Sequence, residues 1–172
     1  MRAECRGLLT VLACVAAVPA AAQVAPPRLV GTWRLASRID RDSTGRVIPE
    51  PGLGADPLGY LIYDAGGHVA VQLMARHRAE APLAPVPAPT GEDPNNSAEL
   101  GGYDAYFGTY AVDTTAGTVT HTLEGALGPG DVGRRLTRRF RLVADTLVIS
   151  FGARSRTTQP VTRTLRWVRV SP

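Results

Sequence analysis

A histidine and an arginine stand where alternation calls for apolar side chains. In GTVTHTLEG, residues 117–125, Val119, His121 and Leu123 alternate with Thr118, Thr120, Thr122 and Glu124. The threonine face suits water, which leaves His121 on the inward face. In the next alternating stretch Arg138 shares its face with Leu136, Phe140 and Leu142. A buried arginine needs a partner. Two basic groups facing one apolar space would also depress the histidine pKa, by desolvation and like-charge repulsion together. Equal register across the 125–133 link would place positions 121 and 138 opposite one another.

Three chemistries are open to this pair. In the first it is structural: His121 bonds a backbone carbonyl or a tyrosine, and Arg138 bonds a carboxylate such as Asp104. In the second it is a polar anchor for a ligand in an otherwise apolar cavity, with Arg138 favouring an acidic head. In the third His121 acts as acid or base and Arg138 stabilises an oxyanion, as in a cofactor-independent isomerase or cyclase. Tyr63, Tyr106 and Tyr110 could add hydroxyl groups to the same space, and Gln72 an amide. Both faces of the 58–64 and 103–112 stretches carry apolar residues, so alternation does not settle where these side chains point.

Other chemistries find no support. There is no Gly-x-Ser-x-Gly elbow and no dinucleotide-binding glycine loop. His68, His77 and His121 lack metal-ligand spacing, so no metal and no cofactor is expected. All 19 basic residues are arginine, which excludes Schiff-base chemistry and a P-loop lysine. The formal net charge of +4 is modest. The arginine run 134–141 places Arg135, Arg139 and Arg141 with Thr137 on one face, a solvated outer wall. Aromatic residues for base stacking are sparse there, and no nucleic-acid partner is expected.

The elements that must position these groups alternate with period two. Trp33, Leu35, Ser37 and Ile39 alternate with Arg34, Ala36, Arg38 and Asp40. Further strands are expected at 58–64, 68–75, 103–113, 117–125, 134–143, 146–151 and 161–170. Eight strands with mostly short links favour an all-β, antiparallel up-and-down sheet, and closure into a barrel removes its exposed edges. The interval 76–102 breaks the rhythm with Pro82, Pro85, Pro87, Pro89 and Pro94. Proline lacks the donor a central strand needs. A long surface loop is expected, ending in a helical turn with Ser97 as cap before Ala98-Glu99-Leu100; it is either a plain insertion or a flap over the barrel mouth.

The first residues read as an export segment. Arg2 and Arg6 precede an apolar run from Gly7 to Ala20, and Ala20-Ala21-Ala22 offers small residues for cleavage. The run is shorter than the roughly 20 residues of a spanning helix. Residues 1–22 are expected to be a signal peptide, and 23–172 one periplasmic or secreted domain without membrane insertion. Lipid attachment at Cys14, within VLAC, is the alternative. Both cysteines, Cys5 and Cys14, precede residue 23, so the domain would carry no disulfide. At its length about 70% of the unfolded surface is buried on folding, enough for a core without cross-links.

Six stretches carry a resemblance: LVGTWRL (29–35), DPLGYLIYDAGGHVAVQLM (56–74), YDAYFGTYAVD (103–113), GTVTHTLEG (117–125), RRFRL (138–142) and LRWVRV (165–170). In this order, with Gly31-Thr32-Trp33 as a G-x-W signature, the chain resembles the bacterial and fungal lipocalin-like domain family. The resemblance implies an eight-stranded lipocalin-like barrel around a cavity; the domain is expected to hold a small hydrophobic or amphipathic molecule and to be a monomer. It also implies that a basic residue of the last strand, Arg169 or Arg166, packs over Trp33 as a structural closure. The long proline-rich loop departs from the pattern. A structural or interaction module with a filled interior is the remaining alternative.

Overall fold

The computed structural model describes residues 28–50, 52–78, 99–155 and 159–171, and the backbone of 85–86. Eight long strands form the body: β1 Gly31–Arg41, β2 Leu58–Tyr63, β3 His68–Met74, β4 Tyr103–Asp113, β5 Thr118–Ala126, β6 Arg135–Val143, β7 Thr146–Arg154 and β8 Pro160–Ser171. Each pairs antiparallel with its neighbour in sequence, and β8 returns to pair with β1. The sheet is therefore a closed up-and-down barrel, and all eight strands expected from alternation are present. Closure leaves no long edge to template association.

Short turns make this order possible. Gly67 (φ 88°) and Gly117 (φ 65°) take the left-handed backbone that tight hairpins require. The β6–β7 link is only Ala144-Asp145, and Ala144 adopts φ 48°. A bulge at Phe107/Gly108 bends β4 against β5. A Cβ at Gly108 would lie 2.0 Å from the Thr122 carbonyl oxygen, so only glycine fits.

Alternation fills the interior. Leu61, Val69, Val71, Leu73, Val112, Val119, Leu123, Leu136, Leu147, Ile149, Leu165 and Trp167 form one buried cluster. A register shift between Leu35 and Ser37 interrupts it in β1. Ahead of the shift Trp33 and Leu35 are buried; beyond it Asp40 is buried and Arg41 exposed. The expectation that Ser37 and Ile39 continue the inner face, with Arg38 and Asp40 opposite, is therefore corrected: one extra residue in a strand reverses its faces.

One barrel end is closed by Trp33 and Arg169, which are Cα partners across β1 and β8. The Arg169 guanidinium lies 4.1 Å from the Trp33 ring centre. Its Nη1 donates to the Val30 carbonyl at 2.8 Å, and its Nη2 donates to the Arg28 carbonyl. The indole N–H donates to Leu29 at 3.0 Å. Arg166 is exposed on the outer wall and does not take this role. Arg169→Met should lower the unfolding free energy by about 1–3 kcal/mol, combining the lost cation–π contact and the carbonyl bonds. Arg166→Met should change it by less than about 0.5 kcal/mol. Urea unfolding of both variants checks the assignment.

Two expectations about the loops need revision or fall outside the described chain. Glu99–Leu100 is not helical: it is a short strand paired with Pro85–Val86. Among the described residues a 3₁₀ turn, Pro129–Asp131, links β5 and β6, and Arg78, in the link after β3, is also 3₁₀. Most of the proline-rich interval, with Ser97, lies outside the described residues, as does the whole 1–22 segment with Cys5 and Cys14.

Candidate functional site

The interior carries one continuous polar chain. His121 (0% exposed) comes from β5, Tyr63 (1%) from β2, Tyr106 (3%) from β4 and Arg138 (7%) from β6. His121 Nε2 lies 2.7 Å from the Tyr63 hydroxyl, and Nδ1 lies 3.0 Å from that of Tyr106. Arg138 Nη1 donates to the Tyr106 hydroxyl at 2.5 Å. The Arg138 guanidinium also covers the Phe151 ring, 4.6 Å from its centre. The fold thus brings together four of the six candidate ligand contacts named from the sequence.

The register differs from the one expected. His121 pairs with Leu136, and Val119 pairs with Arg138. The offset is two residues, so both side chains keep the inner face; the 3₁₀ turn and its flanks in the link displace β6 by one pleat. Tyr110 is also inside, with its ring 4.6 Å from that of Tyr63. Its hydroxyl, however, donates to the Asp64 carbonyl at 2.8 Å and ties β4 to the β2–β3 turn. Gln72 does not belong to the interior. It alternates with buried Val71 and Leu73 on β3, faces outward, and accepts a hydrogen bond from Tyr103 at 2.8 Å.

Electrostatics follow from burial. Desolvation, with Arg138 as second cause, holds the His121 imidazole well below the usual histidine range. Burial pushes the Tyr63 and Tyr106 hydroxyls up, although Arg138 opposes this at both. All three rings are neutral near pH 7, and only Arg138 carries charge along the chain. A neutral imidazole has one N–H and one acceptor nitrogen. With the proton on Nε2, donation runs from Arg138 to Tyr106, to Nδ1, and onward to Tyr63. With the proton on Nδ1, Tyr63 donates inward and the Tyr106 proton is left to point away from the chain. Either way both ring nitrogens of His121 are engaged.

Reading faces from alternation also missed a second polar group, because the β1 bulge hides it. Arg163 donates to Asp40 from Nε at 2.8 Å and from Nη2 at 2.7 Å, a bidentate pair. Arg38 donates to Glu50 at 2.7 Å. Glu50 in turn accepts the N–H groups of Gly52 (3.1 Å) and Leu53 (2.9 Å). Leu53 is 3% exposed and belongs to the core cluster. These residues lie toward the end of β1 opposite Trp33 and tie Gly52 and Leu53 there. Burial raises the Glu50 pKa; Arg38, the two N–H groups and Arg163 outweigh it and hold the carboxyl low. Glu50→Gln should therefore speed amide exchange at Gly52 and Leu53 while leaving β5 amides protected, measurable by hydrogen exchange.

The remaining histidines serve elsewhere. His68 meets Asp64 at 2.8 Å in an exposed turn, and His77 lies in a turn after β3. Among the described residues no three of His, Cys, Asp and Glu converge as a metal site.

A closed eight-stranded up-and-down barrel with a buried polar chain among apolar side chains is a calyx-type architecture, which supports a binding-protein-type function. The lipocalin-like domain family matches residues 30–170, and the chain belongs to that family. No curated protein matches the chain.

Proposed function

We propose that the barrel holds a small, mostly apolar molecule whose head group accepts a hydrogen bond from Arg138 and Tyr106. One observation carries this reading: polar side chains from four strands, hydrogen-bonded in series and including a guanidinium against Phe151, inside an apolar wall. Pockets of this type pair apolar walls with few placed polar groups. The isomerase reading lacks a free base, since both His121 nitrogens already bond tyrosines. Anilinonaphthalene sulfonate, an apolar anion, tests the proposal by its fluorescence, with dodecanoate and dodecanol as competitors. Displacement by either, weakened about tenfold or more in Arg138→Met, is expected. No enhancement with the wild-type barrel, or identical binding by the variant, would overturn it. The same reading makes 1–22 an export signal removed after Ala22, with the domain released to the periplasm or medium. N-terminal sequencing of the processed chain should begin at Gln23; a lipid on Cys14 would replace release with anchoring.

A further inference from the structure

The outer wall built by β6, β7 and β8 is basic and open. Arg135, Arg139 and Arg141 are exposed on β6, and Arg166 on β8. None of the four side chains makes a hydrogen bond or ion pair within the described residues, while the side chains of the buried Arg138 and Arg163 each do. Their backbone positions converge: Arg141 and Arg166 both pair with Val148, and Arg139 pairs with Ser150, which pairs with Thr164. A groove of about 410 Å³ runs there, lined by Gly117, Arg139, Arg141, Val148, Ser150 and Thr164 among others. Among the described residues on this side of the barrel, carboxylates stand at strand ends and turns, Asp113, Glu124 and Asp145, and Asp113 accepts the Ala116 N–H at 2.8 Å.

We propose that this wall binds an acidic polysaccharide, whose sulfate or carboxylate groups meet Arg139 and Arg141 in the groove and Arg166 beside it. Charge complementarity sets the sign, and geometry sets the form. Arg135 and Arg141 stand about 20 Å apart along one strand, and Arg141 and Arg166 about 10 Å apart across two. A single small anion can reach at most the Arg139, Arg141 and Arg166 cluster; an elongated chain with repeated charges can meet all four arginines. Guanidinium forks match planar carboxylates and sulfates, and the Ser150 and Thr164 hydroxyls add donors for sugar oxygens. The described outer face of these strands carries no aromatic ring for stacking bases. Its central apolar residue, Val148, is half-buried between the arginines, and the exposed Val143 and Val170 stand at the strand ends, outside the groove. The interior site plays no part in this contact.

The experiment is fluorescence titration of the whole chain with dextran sulfate, alongside neutral dextran, single-stranded DNA and phosphatidylglycerol vesicles. Arg139→Gln/Arg141→Gln/Arg166→Gln should weaken dextran sulfate binding at least tenfold, with added salt weakening the wild type as well. Arg46→Gln/Arg76→Gln/Arg78→Gln removes equal charge elsewhere and should cost less than about twofold. Equal losses in the two variants, no wild-type binding, or tighter binding to DNA or vesicles would each overturn the proposal. Hydrogen exchange on the wild type gives a second reading that needs no variant. Dextran sulfate should slow amides around 117 and 148–150, and unchanged exchange there would also count against it.

Discussion

Asp40→Ala is expected to lower the unfolding free energy by about 3–5 kcal/mol, the range for removing one partner of a buried ion pair. Asp40 is 3% exposed and receives two hydrogen bonds from Arg163. Without it the Arg163 charge stays buried beside Arg38, whose own pKa is already lowered by desolvation and by Arg163. Asp40→Leu combined with Arg163→Met should recover most of the loss, because a well-packed apolar pair can match a buried ionic one. Urea unfolding of the single and double variants checks both statements. A loss below about 1 kcal/mol in Asp40→Ala would mean that Arg163 finds water or another carboxylate.

His121→Phe should cost about 2–4 kcal/mol at neutral pH. The phenyl ring keeps most of the volume but leaves the Tyr63 hydroxyl without its partner, and unsatisfied buried groups cost about 1–3 kcal/mol each. Tyr106 keeps the donation from Arg138. Adding Tyr63→Phe should return part of the loss, so the two changes are not additive. The pH dependence has a definite sign. The His121 pKa is depressed in the folded state, so it contributes no penalty above the unfolded value near 6.5. Below that pH the unfolded chain takes up a proton the barrel refuses. Stability then falls by up to about 1.4 kcal/mol per pH unit until the folded pKa is reached. The Glu50 latch adds its own loss at lower pH, as that carboxyl protonates. In His121→Phe the slope between pH 6.5 and 5 should flatten. Chemical denaturation at pH 7.5 and 5.5 measures it, and a histidine resonance of His121 titrating between pH 6 and 7 would refute the assignment.

Alternation in the sequence determined the eight strands, their up-and-down order and the inward placement of His121 and Arg138, because a period of two assigns each side chain a face without reference to any other strand. It could not place Tyr63, Tyr106, Tyr110 or Gln72, whose strands carry apolar residues on both faces; the outer one shows as exposed Tyr60, Ile62 and Phe107. Nor could it set the partner of each position. The β5–β6 register, the bond from Tyr63 to His121 across two intervening strands, and the choice of Arg169 over Arg166 all depend on barrel closure. The Asp40–Arg163 pair was hidden for a sharper reason. A single extra residue near Ser37 reverses the faces of β1, and that bulge is fixed by the pairing with β8, not by any residue type in β1 itself.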